Sequence, residues 1–306
     1  MAVKTEKIQY NQLPRPTFRW MKVNHLELDP LKAQAAPAYT PEERHDGDAA
    51  VIFYEGNQMP GLGDFQGSNA EELQKALNQA NSGCAVSVGE NQKGSVHLKY
   101  SLSEAMPQLT AQLKIEAAAH SDLTVYLEFD GSADDGSVNF LTYVKTGEGA
   151  HVKVSKVQLN GENVRHVEHR YGDAGKESTI DYVSAELGGK AAIVYYKTDL
   201  MHDESNFNSQ AMYLGMTTRS STSLTGFHTG RQDQYGHLDD RRPPRYVEEV
   251  LPRYYRLPPR RQESRRFRIG YVHPAQPEGP FHFRTAPPLQ RRRRRREPCF
   301  QCRPDR

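Results

Sequence analysis

Cys299-x-x-Cys302, with His273 and His282 upstream, has the spacing of half a zinc or redox site. A closed zinc site needs four ligands on an ordered frame, and residues 219–306 hold nine Ile, Leu and Val in all, too few to build one. No metal site is assigned there. Arg291 to Arg296 is an unbroken run of six cations that would bind polyanions by releasing counterions from phosphate. It has no aromatic platform beside it, so nucleic-acid contact is expected to be non-specific. His166-x-x-His169 lies in a β-rich stretch, where i and i+3 side chains point to opposite faces, so the two are read as separate residues rather than paired ligands. Cys84 stands apart from the other two cysteines and reads as a small buried hydrophobe rather than a reactive thiol. Three cysteines so placed form no disulfide framework and fit a reducing compartment.

Catalytic constellations are missing from the sequence. There is no nucleophile elbow, phosphate-cradling loop or Rossmann fingerprint, and Gly61-Leu62-Gly63 lacks both the later glycine and the preceding strand of a dinucleotide motif. A carbohydrate-active β-helix would need carboxylates converging on one groove, whereas Asp134, Asp135, Glu148 and Asp173 read as solvated loop residues. The chain is therefore read as a non-enzyme, with catalytic and metal residues none and cofactor-binding residues unassigned.

The elements that would position any site divide the chain in three. Residues 1–96 read as an irregular arm plus one helix. Pro14, Pro16, Pro30, Pro37 and Pro41 break any long periodicity in the arm, and Ser68-Asn69-Ala70-Glu71 is a capping-box pattern. Leu73, Ala76, Leu77 and Ala80 then share a helical face before Gly83 stops the run. Over residues 97–218 the period becomes two, most clearly at Leu123, Val125, Leu127 and Phe129, with strand starts near Val138, Val152, Val164, Ile180 and Ile193 separated by glycines. Short strands at regular intervals mean an all-β sandwich, barrel or stacked solenoid, and periodicity does not choose among them. Residues 219–306 change vocabulary altogether. Residues 1–218 hold 14 lysines and 5 arginines against 29 acids, a net of −10, while the remainder holds 21 arginines, no lysine and 9 acids, a net of +12. With 12 of the 19 prolines, this tail is expected to be largely disordered. No stretch is long and apolar enough to span a bilayer and no secretory pattern opens the chain, so a cytoplasmic protein is expected.

Leu13-Pro14-Arg15-Pro16-Thr17-Phe18-Arg19-Trp20, Glu186-Leu187-Gly188-Gly189-Lys190 and Ala211-Met212-Tyr213-Leu214-Gly215, in that order, resemble the SufB/SufD family of iron-sulfur cluster assembly scaffolds, and SufD more than SufB. The resemblance covers roughly residues 8–215. It implies a right-handed parallel β-helix core and a non-catalytic scaffold that pairs with a SufB-like subunit and a SufC-like ATPase. An iron-sulfur cluster would then be held transiently by the complex, and ATP would be used only by the partner. After Gly215 the resemblance stops, and a shift of reading frame between Met216 and about Gly226 would explain why. Val247 to Pro252, read one nucleotide later, allow Ser-Lys-Lys-Phe-Phe-Arg, and Glu297 to Cys302 allow Asn-His-Ala-Phe-Ser-Ala, both in the family's order. The chain as written then lacks the cluster-site motif and terminal helices and is expected to be impaired. Polyanion binding through the arginine tail and a carbohydrate-active β-helix are the other two classes considered.

Overall fold

The computed structural model describes residues 7–12, 26–32, 36–213, 220–228 and 233–240. A short antiparallel pair, β1 (Ile8–Tyr10) and β2 (Leu26–Leu28), precedes β3 (Glu42–Gly47), β4 (Ala50–Tyr54) and the helix α1 (Ala70–Asn78). Among the described residues strands then follow one another without another helix: β5 (Ser82–Val88), β6 (Lys93–Leu102), β7 (Gln108–Ala117), β8 (Asp122–Gly131), β9 (Ser137–Thr146), β10 (His151–Gln158), β11 (Arg165–Asp173), β12 (Thr179–Glu186), β13 (Ala191–Asp199), β14 (Asn206–Tyr213), β15 (Ser220–His228) and β16 (Asp233–Asp240).

These strands build two walls by turns. One wall has the order β14-β12-β10-β8-β6-β3 and the other β16-β15-β13-β11-β9-β7-β5-β4. From β5 to β15 the chain alternates between the walls and every ladder within each wall is parallel, giving a β-solenoid of about five turns. Leu123, Val152, Ile180 and Phe207 are register partners on four successive strands of one wall, each a full turn from the next. The interval between strand starts in the sequence is thus half a turn, because alternate strands go to opposite walls. Of the three all-β alternatives, the solenoid is the one that forms.

Alternation decides which face is inside. Leu123, Val125, Leu127 and Phe129 are all buried in the lumen while Tyr126 between them is exposed. Val96, Leu98 and Tyr100 in the turn before, and Val138, Phe140 and Val144 opposite, complete an apolar core in which each side chain is stabilised by about 1.5–3 kcal/mol relative to exposure. Along this lumen Tyr100 stacks on Phe129 at a centroid distance of 5.3 Å, and Phe140 meets Phe129 edge to face at 4.9 Å.

The arm that precedes the helix is less irregular than expected. β3 pairs antiparallel with β6 and β4 antiparallel with β5, because the first turn would otherwise leave its lumen open; Ala49 and Val51 help to close it. Helix α1 forms where the sequence places it, but its cap is Asn69 rather than Ser68, with the Asn69 side chain accepting from the Glu71 and Glu72 amides. Gly83 does not stop the helix, which ends at Asn78. It lies in β5, where a Cβ would meet the Tyr54 ring at 2.5 Å.

The parallel ladder also runs past residue 218. β15 pairs with β13 from Ala191↔Ser220 to Asp199↔His228, and β16 then folds back antiparallel on β15. The wall that ends on β14 receives no further strand among the described residues. Residues 241–306, with Cys299, Cys302, the arginine run and most of the tail expected to be disordered, lie outside the described residues. No described helix is long and apolar enough to cross a membrane.

One turn glycine is conformationally obligatory. Gly131 ends β8 at φ +81°, and a Cβ there would lie 2.0 Å from the Leu102 carbonyl oxygen of the turn below. Gly131→Ala is expected to cost more than the ~1 kcal/mol of a strained left-handed residue, since backbone blocks the added atom. Thermal unfolding of the two proteins under identical conditions checks this, and equal midpoints would contradict it.

Candidate functional site

Residues singled out in the sequence are scattered. Cys84 faces the lumen in β5, free and fully buried, and burial followed by the nearby Glu43 charge pushes its thiol up to about 12, so it has no thiolate character at neutral pH. Asp134, Asp135 and Glu148 are exposed, and Asp173 ends β11 half-buried; Asp135 pairs with Lys32 and Glu148 with Lys176, on separate loops. Leu62 of Gly61-Leu62-Gly63 packs with Phe65 and Leu73 on the outside of the eight-stranded wall. No group of three or more His, Cys, Asp or Glu with metal-binding geometry occurs among the described residues. His166 and His169 face opposite sides of β11, as strand geometry requires.

The chemistry that sequence reading missed is inside the solenoid. Through β9 the lumen is nearly all apolar, and at β10 it changes: Lys156 occupies the inward position after Val152 and Val154, aligned with Leu127 one turn earlier. His166, Glu168 and Arg170 take three successive inward positions of β11, and Glu186 takes one of β12. All five side chains are excluded from solvent. Lys156 bridges Glu168 and Glu186, the latter at 2.5 Å. Arg170 pairs with the other oxygen of Glu168 and lies 4.5 and 4.3 Å from the ring centroids of Tyr182 and Tyr196. Tyr196 donates its hydroxyl to Glu168 Oε2 at 3.3 Å.

Two cations and two carboxylates balance, and the energetics follow from that. Burial opposes the Lys156 charge, but Glu168 and Glu186 outweigh it and hold the ammonium above its ordinary value. Burial likewise opposes ionised Glu168, and Arg170 and Lys156 overcome it, keeping that carboxyl well below the usual range. His166 goes the other way: burial, reinforced by Lys156, lowers its pKa and keeps it neutral, with Nδ1 3.3 Å from Asn160 Oδ1. Asn160 accepts from Gln158 at 3.1 Å and donates to the Asp130 carbonyl at 2.9 Å, tying the network to the turn corner.

A second buried histidine works on the outer side of the same strand. His169 Nδ1 accepts the Ser68 amide at 3.0 Å, and Nε2 donates to Asn139 Oδ1 at 3.1 Å. Asn139 in turn donates to the Glu72 carbonyl of α1 at 2.8 Å. Burial pushes the imidazole down to about 3, so the neutral ring latches the helix and its entry loop to the wall. Gly67 at φ +61° makes room, since a Cβ there would sit 2.3 Å from His169 Nδ1.

Outside the lumen, the six-stranded wall carries a trough of about 700 Å³. Tyr126, Ser155 and Val183 form one register row of its floor and Val157, Ala185 and Met212 the next, while Arg44 and Glu128 supply charge, and His97 a polar ring, toward the first turns. Such a lining, broad and apolar with polar groups at one end, suits contact with another protein surface.

The described residues thus build a two-walled parallel β-solenoid with an ionic knot in its later turns. Residues 100–230 match the family model described as SUF system FeS cluster assembly, SufBD core domain. This match supports membership of the SufB/SufD family and with it a role in SUF iron-sulfur cluster assembly. It begins in β6 and ends just beyond β15, so the resemblance reaches past Gly215, where sequence reading ends it. No curated protein and no solved structure matches the chain.

Proposed function

We propose that the chain is a SufD-like scaffold subunit, not itself an enzyme, that pairs with a SufB-like subunit and a SufC-like ATPase. The observation that carries this reading is the coincidence of the matched span, residues 100–230, with the parallel ladder from β6 to β15. The cluster would be cargo of the complex, bound transiently, and the solenoid would contribute a rigid wall with a protein-facing trough rather than reacting groups.

The change of reading frame belongs to this proposal. A parallel, in-register β15 and a match reaching residue 230 favour a shift between 230 and Val247 rather than between Met216 and Gly226. As written, the chain would be impaired, because the Asn-His-Ala segment and terminal helices are replaced by the arginine-rich tail. The test has two arms. Accurate sequencing of coding DNA and transcript across codons 226–250 is expected to reveal a one-nucleotide change that opens the alternative frame. Co-expression of the corrected chain with SufB-like and SufC-like subunits is expected to give a stable ternary complex, and the chain as written a weaker one or none. A corrected chain that binds neither subunit would overturn the reading.

A further inference from the structure

The two walls end, at the first turn, on strands of opposite character. β3 reads Glu42-Glu43-Arg44-His45-Asp46-Gly47, a charged edge of the kind that rejects most added strands. β4 reads Ala50-Val51-Ile52-Phe53-Tyr54, with no charge and no proline, and leaves Ile52 63% and Phe53 41% exposed. Among the described residues β4 has a single ladder neighbour, β5, so one row of its backbone donors and acceptors is open.

Side-chain parity restricts what can add to that edge. Val51 and Phe53 pair with Val86 and Cys84, which face the lumen, whereas Ile52 pairs with Ala85 and faces out. A new antiparallel strand continues both faces only if inward residues meet inward ones. β4 meets this condition against itself about Ile52: Val51 falls opposite Phe53, Ala50 opposite Tyr54, and Ile52 opposite Ile52, small against large in each flanking pair. The neighbouring strand obeys the same symmetry. His45 lies three residues before the Asp48–Ala49 corner and Ile52 three residues after it, so an axis through one passes by the other. Antiparallel pairing about His45 sets Arg44 against Asp46 of the second copy, twice over, on the outer face. Both residues are exposed, and no ion pair links either to another described residue.

We infer that this end of the solenoid is a self-association face, on which two copies of the chain join β4 to β4 and β3 to β3 about a two-fold axis through Ile52 and His45. Two short strand pairs make a small interface, so the dimer is weak and concentration-dependent. The charged strand supplies discrimination, since only the self register matches Arg44 with Asp46. Sedimentation equilibrium of the full chain over a wide concentration range tests this. The parent is expected to dimerise, Ile52→Lys to stay monomeric with an unchanged far-ultraviolet spectrum, and Arg44→Asp to weaken the dimer by about tenfold. Arg44→Asp combined with Asp46→Arg is expected to restore it, because the pair is reciprocal. A parent that is monomeric throughout, or an Ile52→Lys protein that dimerises like the parent, overturns the proposal. Failure of the double reversal to recover affinity overturns the axis, and the Arg44 variants keep the test decisive should Ile52→Lys not fold.

Discussion

Lys156→Met is expected to lower the free energy of unfolding by about 3–5 kcal/mol, the range for removing one partner of a buried ion pair. Lys156 stands between two carboxylates in a lumen closed to water, so its loss leaves Glu168 and Glu186 there with Arg170 as the remaining cation of the knot. Arg170 contacts Glu168, so the variant's excess negative charge falls on Glu186. A second substitution makes the argument specific. Glu186→Gln in the Lys156→Met background restores the balance and is expected to recover about 1–3 kcal/mol, the size of coupling between contacting residues. Urea unfolding at pH 7 of the parent, the two single variants and the double variant measures both quantities. A Lys156→Met protein with the parent's midpoint would show that the knot contributes nothing net.

The second large effect is an acid-side loss of stability beginning well above the carboxylate range. His166 and His169 are both held neutral in the fold by burial, His169 down to about 3, whereas in the unfolded chain each takes a proton near pH 6.5. The unfolded state therefore binds more protons as pH falls, and stability present above pH 6.5 is lost progressively below it. Each such histidine contributes a slope of up to about 1.4 kcal/mol per pH unit. Glu168, with its pKa depressed, acts in a separate window: its contribution is present above the ordinary carboxylate value near 4.3 and is lost only as pH falls below that. Unfolding free energies at intervals from pH 7 to 4.5 are expected to fall steadily for the parent and less steeply for His169→Gln. A parent whose stability is flat over this interval would show that neither ring is kept neutral. Protonation of His169 would also place an N–H against the Ser68 amide, so release of α1 is expected to accompany the transition.

Much of the architecture was legible because one alternation rule governs it. The run from Leu123 to Phe129 announces an inward and an outward face, and the predicted starts near Val138, Val152, Val164, Ile180 and Ile193 fall within two residues of observed strands. Strand direction was not legible, since period two is the same in parallel and antiparallel sheets; only the resemblance separated solenoid from sandwich. β3 was hidden because a charged edge strand looks like loop, and β15 because its Ser and Thr residues sit at the head of the tail that follows. The ionic knot escaped for a different reason. Lys156 continues the inward parity of Val152 and Val154, but a lysine near a strand end is ordinarily assigned to solvent, and nothing local reveals that Glu168 and Glu186 arrive beside it. The pairing is set by the pitch of the coil, a property of whole turns.

The coil has a consequence for synthesis. From β7 to β13 each strand bonds only with the strands one turn before and one turn after in its wall, so a turn is complete once the next half-turn has left the ribosome. Every group of the knot has emerged by Tyr196, the last of them being the residue that donates to Glu168. A nascent chain can thus close its lumen and bury its charges before the arginine-rich codons are translated. Whatever those codons specify comes too late to undo the turns already made, so a change confined to them would leave a folded body with an altered end rather than an unfolded chain.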